Sequence, residues 1–534
     1  MHRYASGELT TTTHGARLIE TANPAGAREP FIGAALVFLW LAALAWLSNR
    51  NGLYFDDEIF TIELLEGKTS VGAVIAAANS FDLHPPLSYA IQFLLHRLTG
   101  DWKMVQLIAG LVNAAALATF AGLAHRGLPR GAWLILTGLL ATFATAIMWG
   151  ASLRWYAWFN PCFTIALAMV LWGRFSALPS LAVLTGIGAV MFHLNYLAVV
   201  ACPLLGMVWY WRYRREIGWS AAKKAALILL AGAAACVPQL LVLLRVHSAY
   251  PIETQVGSVG MSLVQTVFAV GIGNALFPLN PLPLAVLAIY GAALLWSLRS
   301  LRLDSQLIAL WALVLLGCAV MVISGLGLKP RNSTYLTIAA LPLLASALAA
   351  LAPRLRIPAL LVAALFSFQG MANVALHHGT DKRSFNTPHR QIVTAIEDMA
   401  RTCPNAAIVN FDEVTGYALP RHLFQTDRNL GIDRSFAPGD CLILAQGSAS
   451  ECAQAVTGDL LAILRQPGIN AEQRKAFAPE PERARAAQLL GKAIESHAAV
   501  VTLYRMTQAR RIKLVYPAFN KQGFPACHPA EASL

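Results

Sequence analysis

Long uncharged apolar runs recur along the chain as far as about residue 374 and predict a bundle of membrane-crossing helices. At roughly 17 to 25 residues per crossing, the pattern predicts about eleven spans. They lie at 31–47, 104–124, 133–149, 158–172, 178–192, 196–211, 225–244, 282–298, 307–323, 336–351 and 357–374. No small-residue cleavage site closes the first run, so we interpret it as a retained span and not as a cleaved signal.

Lys and Arg in alternate connections predict the orientation of these spans. One set of connections holds Arg126, Arg130, Arg174, Arg212, Arg214, Arg215, Lys223, Lys224, Arg299, Arg302, Arg354 and Arg356, against Glu216 and Asp304. By the positive-inside rule this set is cytoplasmic, together with the amino-terminal tail 1–30. The loop 51–101 is then external, and an odd number of spans places residues 375–534 outside as well.

The pattern changes after the last span. Apolar runs shrink to strand length at 406–411, 441–445 and 500–504, and they alternate with helical patterns. One such helix begins at Thr387-Pro388 and buries Ile392, Ile396 and Met399 on one face. Residues 375–534 therefore predict a soluble α/β domain that follows the transmembrane module 31–374.

The positions of the cysteines bear on whether the last domain can form disulfides. Four of the eight cysteines, Cys403, Cys441, Cys452 and Cys527, lie in this last domain. An external compartment would permit disulfides there, although spacing alone does not give the pairing.

The segment 261–277 is apolar but too short to cross a bilayer, so we predict a re-entrant or interfacial helix near the outer surface. Such a helix could border a groove for lipid tails or could serve packing alone.

Composition supports a polytopic membrane protein. The 534 residues are 57% hydrophobic and only 13% charged, which is far too apolar for an ordinary soluble domain. The net charge of +13 is spread over short loops instead of one face with interleaved aromatics. We therefore expect membrane lipids as partners and no nucleic acid.

Candidate chemistry begins directly after the first span. Asp56, Asp57 and Glu58 stand together within a few residues of the hydrocarbon boundary. Charge there is costly unless a partner or water compensates it, so the triplet is a candidate site. The same loop ends in His84-Pro85-Pro86-Leu87, whose prolines predict a rigid turn.

Further candidates lie at the outer ends of later helices. Arg154 stands two positions before Tyr156, and Lys329 and Arg331 precede Tyr335. A guanidinium suits the phosphate of a lipid, but arginine beside aromatics also anchors helix ends at headgroups. His193 and Tyr196 share the outer end of the fifth and sixth spans.

In this order, these motifs resemble the GT-C membrane glycosyltransferases. The similarity is to the family 39-like branch of protein O-mannosyltransferases and lipid A aminoarabinose transferases. It rests on Tyr54-Phe55-Asp56-Asp57-Glu58, His84-Pro85-Pro86-Leu87, Arg154-Trp155-Tyr156-Ala157, His193 with Tyr196, and Arg331 with Tyr335-Leu336. Near the last spans, the usual pattern of the family has Arg followed directly by Tyr. In this chain Asn332-Ser333-Thr334 separate Arg331 from Tyr335.

The resemblance implies a GT-C fold and transfer of a sugar from a polyprenyl-phosphate donor at the periplasmic face of a bacterial inner membrane. Asp57 would be the general base of an inverting reaction. Asp56 or Glu58 would orient the acceptor hydroxyl, and Asp57 and Glu58 could hold a divalent cation such as Mg²⁺ or Mn²⁺. Arg154 and Arg331 would neutralise the leaving phosphate, and His84 would line the acceptor or phosphate site.

The residues leave other functions open. A polysaccharide ligase or polymerase would use a diphosphate-linked glycan with external arginines and a histidine. A lipid-linked sugar transporter or flippase would carry ionisable groups near the bilayer midplane. The acceptor remains open among lipid, polysaccharide and protein.

Overall fold

The structure is a computed structural model of the chain. It describes residues 24–51, 56–81, 84–249, 259–272, 281–298, 306–328, 330–376, 389–410, 432–446, 460–477, 499–515 and 531–533. Several predicted features lie outside these residues, namely Tyr54-Phe55, the side chains of Asp56 and Asp57, Lys329, Thr387-Pro388, Cys452 and Cys527.

Helices make up the first part of the chain. They are α1 (Pro24–Asn51), α2 (Asp56–Leu65), α3 (Val71–Phe81), α4 (Leu87–Thr99), α5 (Trp102–Ala124), α6 (Arg130–Ala141), α7 (Ala144–Gly150), α8 (Tyr156–Trp172), α9 (Ala177–Leu194), α10 (Ala198–Tyr213), α11 (Trp219–Ala249), α12 (Val259–Ile272), α13 (Pro281–Ser297), α14 (Gln306–Ile323), α15 (Thr334–Ala350) and α16 (Pro353–Leu376). Two 3₁₀ turns, Leu326–Leu328 and Pro330–Ser333, lead into α15. Each predicted span falls on these helices, and α2, α3 and α4 fold within the loop 51–101.

One predicted span is wrong as a single helix. The run 133–149 breaks after α6, and α7 begins at Ala144. Phe143 has a ψ of 69°, which is not helical, and the Thr142 hydroxyl donates to the carbonyl of Gly138 at 2.9 Å. A hydroxyl that competes for backbone carbonyls favours a helix end, and an apolar run does not reveal it.

The apolar helices make this a membrane protein. Within the described residues, six helical segments are long and apolar enough to cross a bilayer: α1, α5, α9, α11, α14 and the segment containing α15. Their outward faces carry exposed aliphatic side chains such as Leu36, Leu227 and Leu315. Inside the bundle, small residues allow close approach, and a Cβ added at Gly110 would lie 2.8 Å from the Ala45 Cβ.

The short apolar helix predicted at 261–277 corresponds to α12, although residues 273–280 lie outside the described part. The Thr337 hydroxyl donates to the carbonyl of Ala269 at 2.9 Å, which ties α12 to α15. Val259 and Leu263 remain exposed on its other side.

The carboxy-terminal part is an α/β domain. Its elements are α17 (His389–Thr402), β1 (Ala407–Asn410), β2 (Ile432–Phe436), β3 (Cys441–Gln446), β4 (Ile469–Phe477), β5 (Ala499–Met506), β6 (Arg510–Val515) and β7 (Glu531–Ser533). One sheet has the order β1-β3-β5-β4, with β1 and β3 parallel and the other neighbours antiparallel. The second sheet, β2-β6-β7, is antiparallel.

The three predicted strands are confirmed as β1, β3 and β5, and the buried face of the predicted helix is confirmed in α17. Ile392, Ile396 and Met399 pack with Ile443 and Val501 on one side of the four-stranded sheet. A disulfide joins Cys403, just after α17, to Cys441 at the start of β3.

Candidate active site

Glu58 is the only member of the acid triplet whose side chain the structure describes, and it is fully buried. Its Oε1 accepts a hydrogen bond from Gln106 Nε2 at 2.7 Å. The same oxygen accepts from the backbone N–H of Leu153 at 2.9 Å. A buried carboxylate needs such donors because desolvation penalises its charge. Glu58 on α2 therefore contacts both α5 and the turn between α7 and α8.

Arg154 lies in that turn and is 6% exposed. Its Nη1 donates to Thr61 Oγ1 at 3.3 Å and to the Tyr89 hydroxyl at 3.2 Å. The guanidinium carbon lies 5.8 Å from the ring centroid of Phe60, within cation–π range. The predicted acid loop and the predicted arginine thus meet in one place.

A row of aromatic rings continues from this turn into the bundle. The His84 ring stacks on Trp155, with centroids 6.2 Å apart, and Trp155 contacts Phe159 edge to face at 5.6 Å. Phe159 in turn contacts Tyr335 at 6.1 Å. Tyr156 packs on Trp155 at 5.2 Å. The row therefore connects the predicted residues His84, Tyr156 and Tyr335.

Asn113 on α5 holds the backbone on both sides of the arginine turn. Its Nδ2 lies 3.2 Å from the carbonyl of Gly150, 2.7 Å from that of Ala157 and 3.0 Å from that of Ala109. Gly150 allows this approach, because a Cβ there would lie 2.6 Å from Asn113 Cγ. The glycine at the end of α7 thus lets the turn reach the α5 amide.

His193 and Tyr196 form a separate cluster. One ring nitrogen of His193, Nε2, lies 3.1 Å from the carbonyl of Ala235 on α11. The Tyr196 hydroxyl accepts from Gln239 Nε2 at 2.9 Å, and that nitrogen also lies 3.4 Å from Asn79 Oδ1 on α3. These partners lie on α3 and α11, whereas Glu58 and Arg154 bond to residues of α2, α4, α5 and the arginine turn.

Arg331 lies in the 3₁₀ turn before α15 and is half-buried. Its carbonyl accepts from Thr334 Oγ1 at 3.1 Å. Tyr335 follows at the start of α15, is 1% exposed, and packs against Phe163 as well as Phe159. Within the described part of the chain its hydroxyl has no hydrogen-bond partner. Lys329, which the sequence groups with these residues, lies outside that part.

Solved structures share this architecture. The apo structure of ArnT from Cupriavidus metallidurans matches with a TM-score of 0.50 and 14% identity, over 88% of this chain and 98% of ArnT. The chain has the GT-C glycosyltransferase fold. ArnT bound to undecaprenyl phosphate gives a TM-score of 0.49 at 14% identity, over 88% of this chain and 97% of that one.

A structure of the arabinofuranosyltransferase AftD from Mycobacteria gives a TM-score of 0.39 at 14% identity, over 90% of this chain and 40% of AftD. No protein-family model and no curated protein sequence matches the chain.

In this GT-C bundle, the described residues include no group of three or more His, Cys, Asp or Glu side chains that could hold a metal ion. The side chains of Asp56 and Asp57 lie outside the described part of the chain. Oε1 of Glu58 already accepts two protein hydrogen bonds. A cation site that used Glu58 would have to share this oxygen or use the other one.

Sequence reasoning missed four residues of the site: Thr61, Tyr89, Gln106 and Asn113. A signal for two of them was available. Gln106 and Asn113 are two of the few polar residues in the mainly apolar α5, and they lie seven positions apart, which is two helical turns. Polar side chains in a membrane helix usually face the bundle interior and pair there.

Proposed function

We propose that this chain transfers a sugar from a polyprenyl-phosphate donor to a hydroxyl of a lipid, polysaccharide or protein at the periplasmic face of a bacterial inner membrane. The observation that carries the proposal is the placement of Arg154. A guanidinium with 6% exposure is held against α2 through Thr61, one helical turn after position 57. This contact supports a site in which a cation lies near the proposed base position.

In this proposal Asp57 takes the proton of the acceptor hydroxyl as its oxygen attacks the anomeric carbon. The bond between that carbon and the phosphate oxygen breaks on the opposite face, so the configuration inverts and polyprenyl phosphate leaves. Negative charge grows on the departing phosphate. Arg154 stabilises that charge, and a preorganised cation in a dry site costs little reorganisation at that moment.

The other predicted residues receive supporting roles. His84 and Tyr156, on the aromatic row beside Arg154, would line the sugar or phosphate. Arg331 and Lys329 would provide a second cationic side, and Tyr335, whose ring contacts Phe159, would line the substrate. His193 and Tyr196 would contact the substrate only if it extends to α11. Asp56 would orient the acceptor, and a divalent cation remains part of the proposal at Asp57.

The choice of donor has support from a protein of the same fold. ArnT, whose apo structure shares the fold, has also been solved bound to undecaprenyl phosphate. That ligand belongs to ArnT. For this chain the buried arginine is the argument, because a guanidinium fork suits a phosphate monoester or diester.

The periplasmic placement of the carboxy-terminal domain has its own support. The disulfide between Cys403 and Cys441 fits an oxidising compartment. The cationic connections predict a cytoplasmic amino terminus. The disulfide supports an outer position for the carboxy-terminal domain, and the cationic connections support an outer position for the acid loop and for that domain.

The test is a transfer assay with purified protein in liposomes. Radiolabelled polyprenyl-phosphate sugars are supplied to the wild type, to Arg154→Gln and to Arg174→Gln, which removes an exposed arginine between α8 and α9. We expect transfer by the wild type and Arg174→Gln, and strong loss in Arg154→Gln. Equal activity of all three would reject the arginine's role. No transfer from any monophosphate donor would favour a diphosphate-using ligase or a transporter. Loss of transfer in the presence of EDTA would show that the reaction needs a divalent cation.

A further inference from the structure

Gln106 lies between a cation and an anion. It is 3% exposed on α5, and its Nε2 donates to Glu58 Oε1 at 2.7 Å. Its own Oε1 accepts from Lys103 Nζ at 3.2 Å. An ammonium can only donate and a carboxylate can only accept, so these two neighbours leave one orientation for the amide.

The start of α5 fixes where this amide lies. Asp101 caps the helix, and its carboxylate accepts from the backbone N–H of Lys103 at 2.8 Å. The Asn49 side chain donates to the carbonyl of Lys103 at 2.8 Å, which ties the same turn to α1. Lys103 and Gln106 are three positions apart, so they share a helix face.

The Glu58 carboxylate connects the oriented Gln106 amide to the arginine turn. Its Oε1 accepts from the N–H of Leu153, the residue before Arg154. Arg154 itself reaches Thr61 and Tyr89. Without the Gln106 donor the Glu58 carboxylate would lose one of the hydrogen bonds that fix its orientation, and the acceptor of the Leu153 N–H would be held less firmly.

We propose that Gln106 is a positioning residue that acts through Glu58 and the Leu153 peptide to aim the Arg154 guanidinium. It touches no substrate. The role of Glu58 is then to join α2, α5 and the arginine turn, which leaves base chemistry to its neighbours in the triplet. This inference rests on the function proposed above, because it gives Arg154 the leaving phosphate as its target.

The test combines kinetics with hydrogen exchange. Gln106→Met keeps the size of the side chain and removes both hydrogen bonds. The matched control is Thr119→Val on the same helix, where an exposed hydroxyl donates only to the Ala115 carbonyl at 2.8 Å. Both changes are also placed in an Arg154→Gln background, and the full-length protein is used throughout.

We expect Gln106→Met to lower kcat about 10- to 100-fold with KM nearly unchanged, because small misplacements of a transition-state contact cost rate. In the Arg154→Gln background the same change should cost nothing further, since residues that act as one unit are not additive. Amide exchange in residues 151–155 should become faster. Thr119→Val should leave kcat, KM and the amide exchange of residues 151–155 unchanged.

Equal fold losses in both backgrounds would overturn the inference, because a general structural defect multiplies independently of Arg154. Unchanged exchange at 151–155 would overturn it as well. Absence of transfer by the wild type would instead contradict the proposed function, while exchange would still test the positioning contact. If Gln106→Met does not accumulate, Lys103→Met at a half-buried position provides the second variant. It should give a smaller loss of kcat and faster exchange at 151–155, and no change in exchange would again contradict the inference.

Discussion

The backbone N–H of Leu153 donates to the buried carboxylate of Glu58, although the two residues stand 95 positions apart in the chain. The bond joins the acid loop after α1 to the turn that carries Arg154. A displacement of α2 therefore moves the arginine turn with it. Other contacts between these two segments, from Arg154 to Thr61 and to Phe60, strengthen the same connection.

Gly150 should not tolerate a side chain. In Gly150→Ala the new Cβ would meet the Asn113 side chain at 2.6 to 2.9 Å, and Asn113 holds both sides of the arginine turn. We expect a loss of about 1 to 3 kcal/mol in stability from overpacking. Thermal unfolding in detergent measures it. Gly186→Ala in α9, where an added Cβ meets nothing within 4 Å, is the control and should be neutral or stabilising. Equal melting temperatures for both variants would contradict the close contact.

Removing the Tyr335 hydroxyl distinguishes a packing role of this residue from a role in substrate binding. The ring packs on Phe159 and Phe163, while the hydroxyl has no partner within the described residues. Tyr335→Phe keeps the ring, and removing an unsatisfied buried group should leave stability equal or raise it by about 1 kcal/mol. If the hydroxyl contacts the substrate, donor KM should rise at the same time. A donor titration with unchanged KM would assign Tyr335 to packing alone.

The disulfide should stabilise the carboxy-terminal domain. Cys403 and Cys441 close a loop of 38 positions, and removing such a crosslink typically costs about 2 to 4 kcal/mol. Cys403→Ala/Cys441→Ala should therefore increase protease cleavage after residue 375, and reductant should have the same effect on the wild type. Cys236→Ala removes a free thiol on α11 and should keep the wild-type response to reductant. If reductant does not change protease cleavage of the wild type, Cys403 and Cys441 are not joined by a disulfide.

His96 should make stability depend on pH. Its ring stacks on Trp102 with centroids 3.9 Å apart, and burial lowers its pKa below the ordinary value of 6.5, partly opposed by Asp101. The unfolded chain then binds a proton more readily than the folded chain, so stability falls as pH drops below about 6.5. Melting temperatures of wild type and His96→Gln between pH 5 and 8 measure this. The variant should show a weaker fall, and parallel curves would remove His96 as a cause.

Much of the helical architecture follows from the apolar runs, because the bilayer dictates the length and polarity of anything that crosses it. The strands β1, β3 and β5 and the buried face of α17 were likewise readable from local periodicity. These features depend on neighbouring residues. The break between α6 and α7 escaped the pattern because it depends on the Thr142 hydroxyl and the backbone of Phe143.

The site itself was only partly readable. The acid triplet, His84 and Arg154 stand out because charge near hydrocarbon is rare. Tyr89 and Thr61 enter the site through contacts across tens of positions, which no local pattern contains. The pairing of Cys403 with Cys441 is unreadable for the same reason, since several pairings fit one spacing.

The most direct test of the account is the rate of sugar transfer by Asp57→Asn. The amide keeps the size of the carboxylate but cannot take a proton, so the proposed base is lost while the fold is kept. Wild type, Asp57→Asn and Arg174→Gln are compared in liposomes with radiolabelled polyprenyl-phosphate sugars, after unfolding curves show equal stability. The account predicts transfer by the wild type and Arg174→Gln and none detectable by Asp57→Asn. A fully active Asp57→Asn would contradict it.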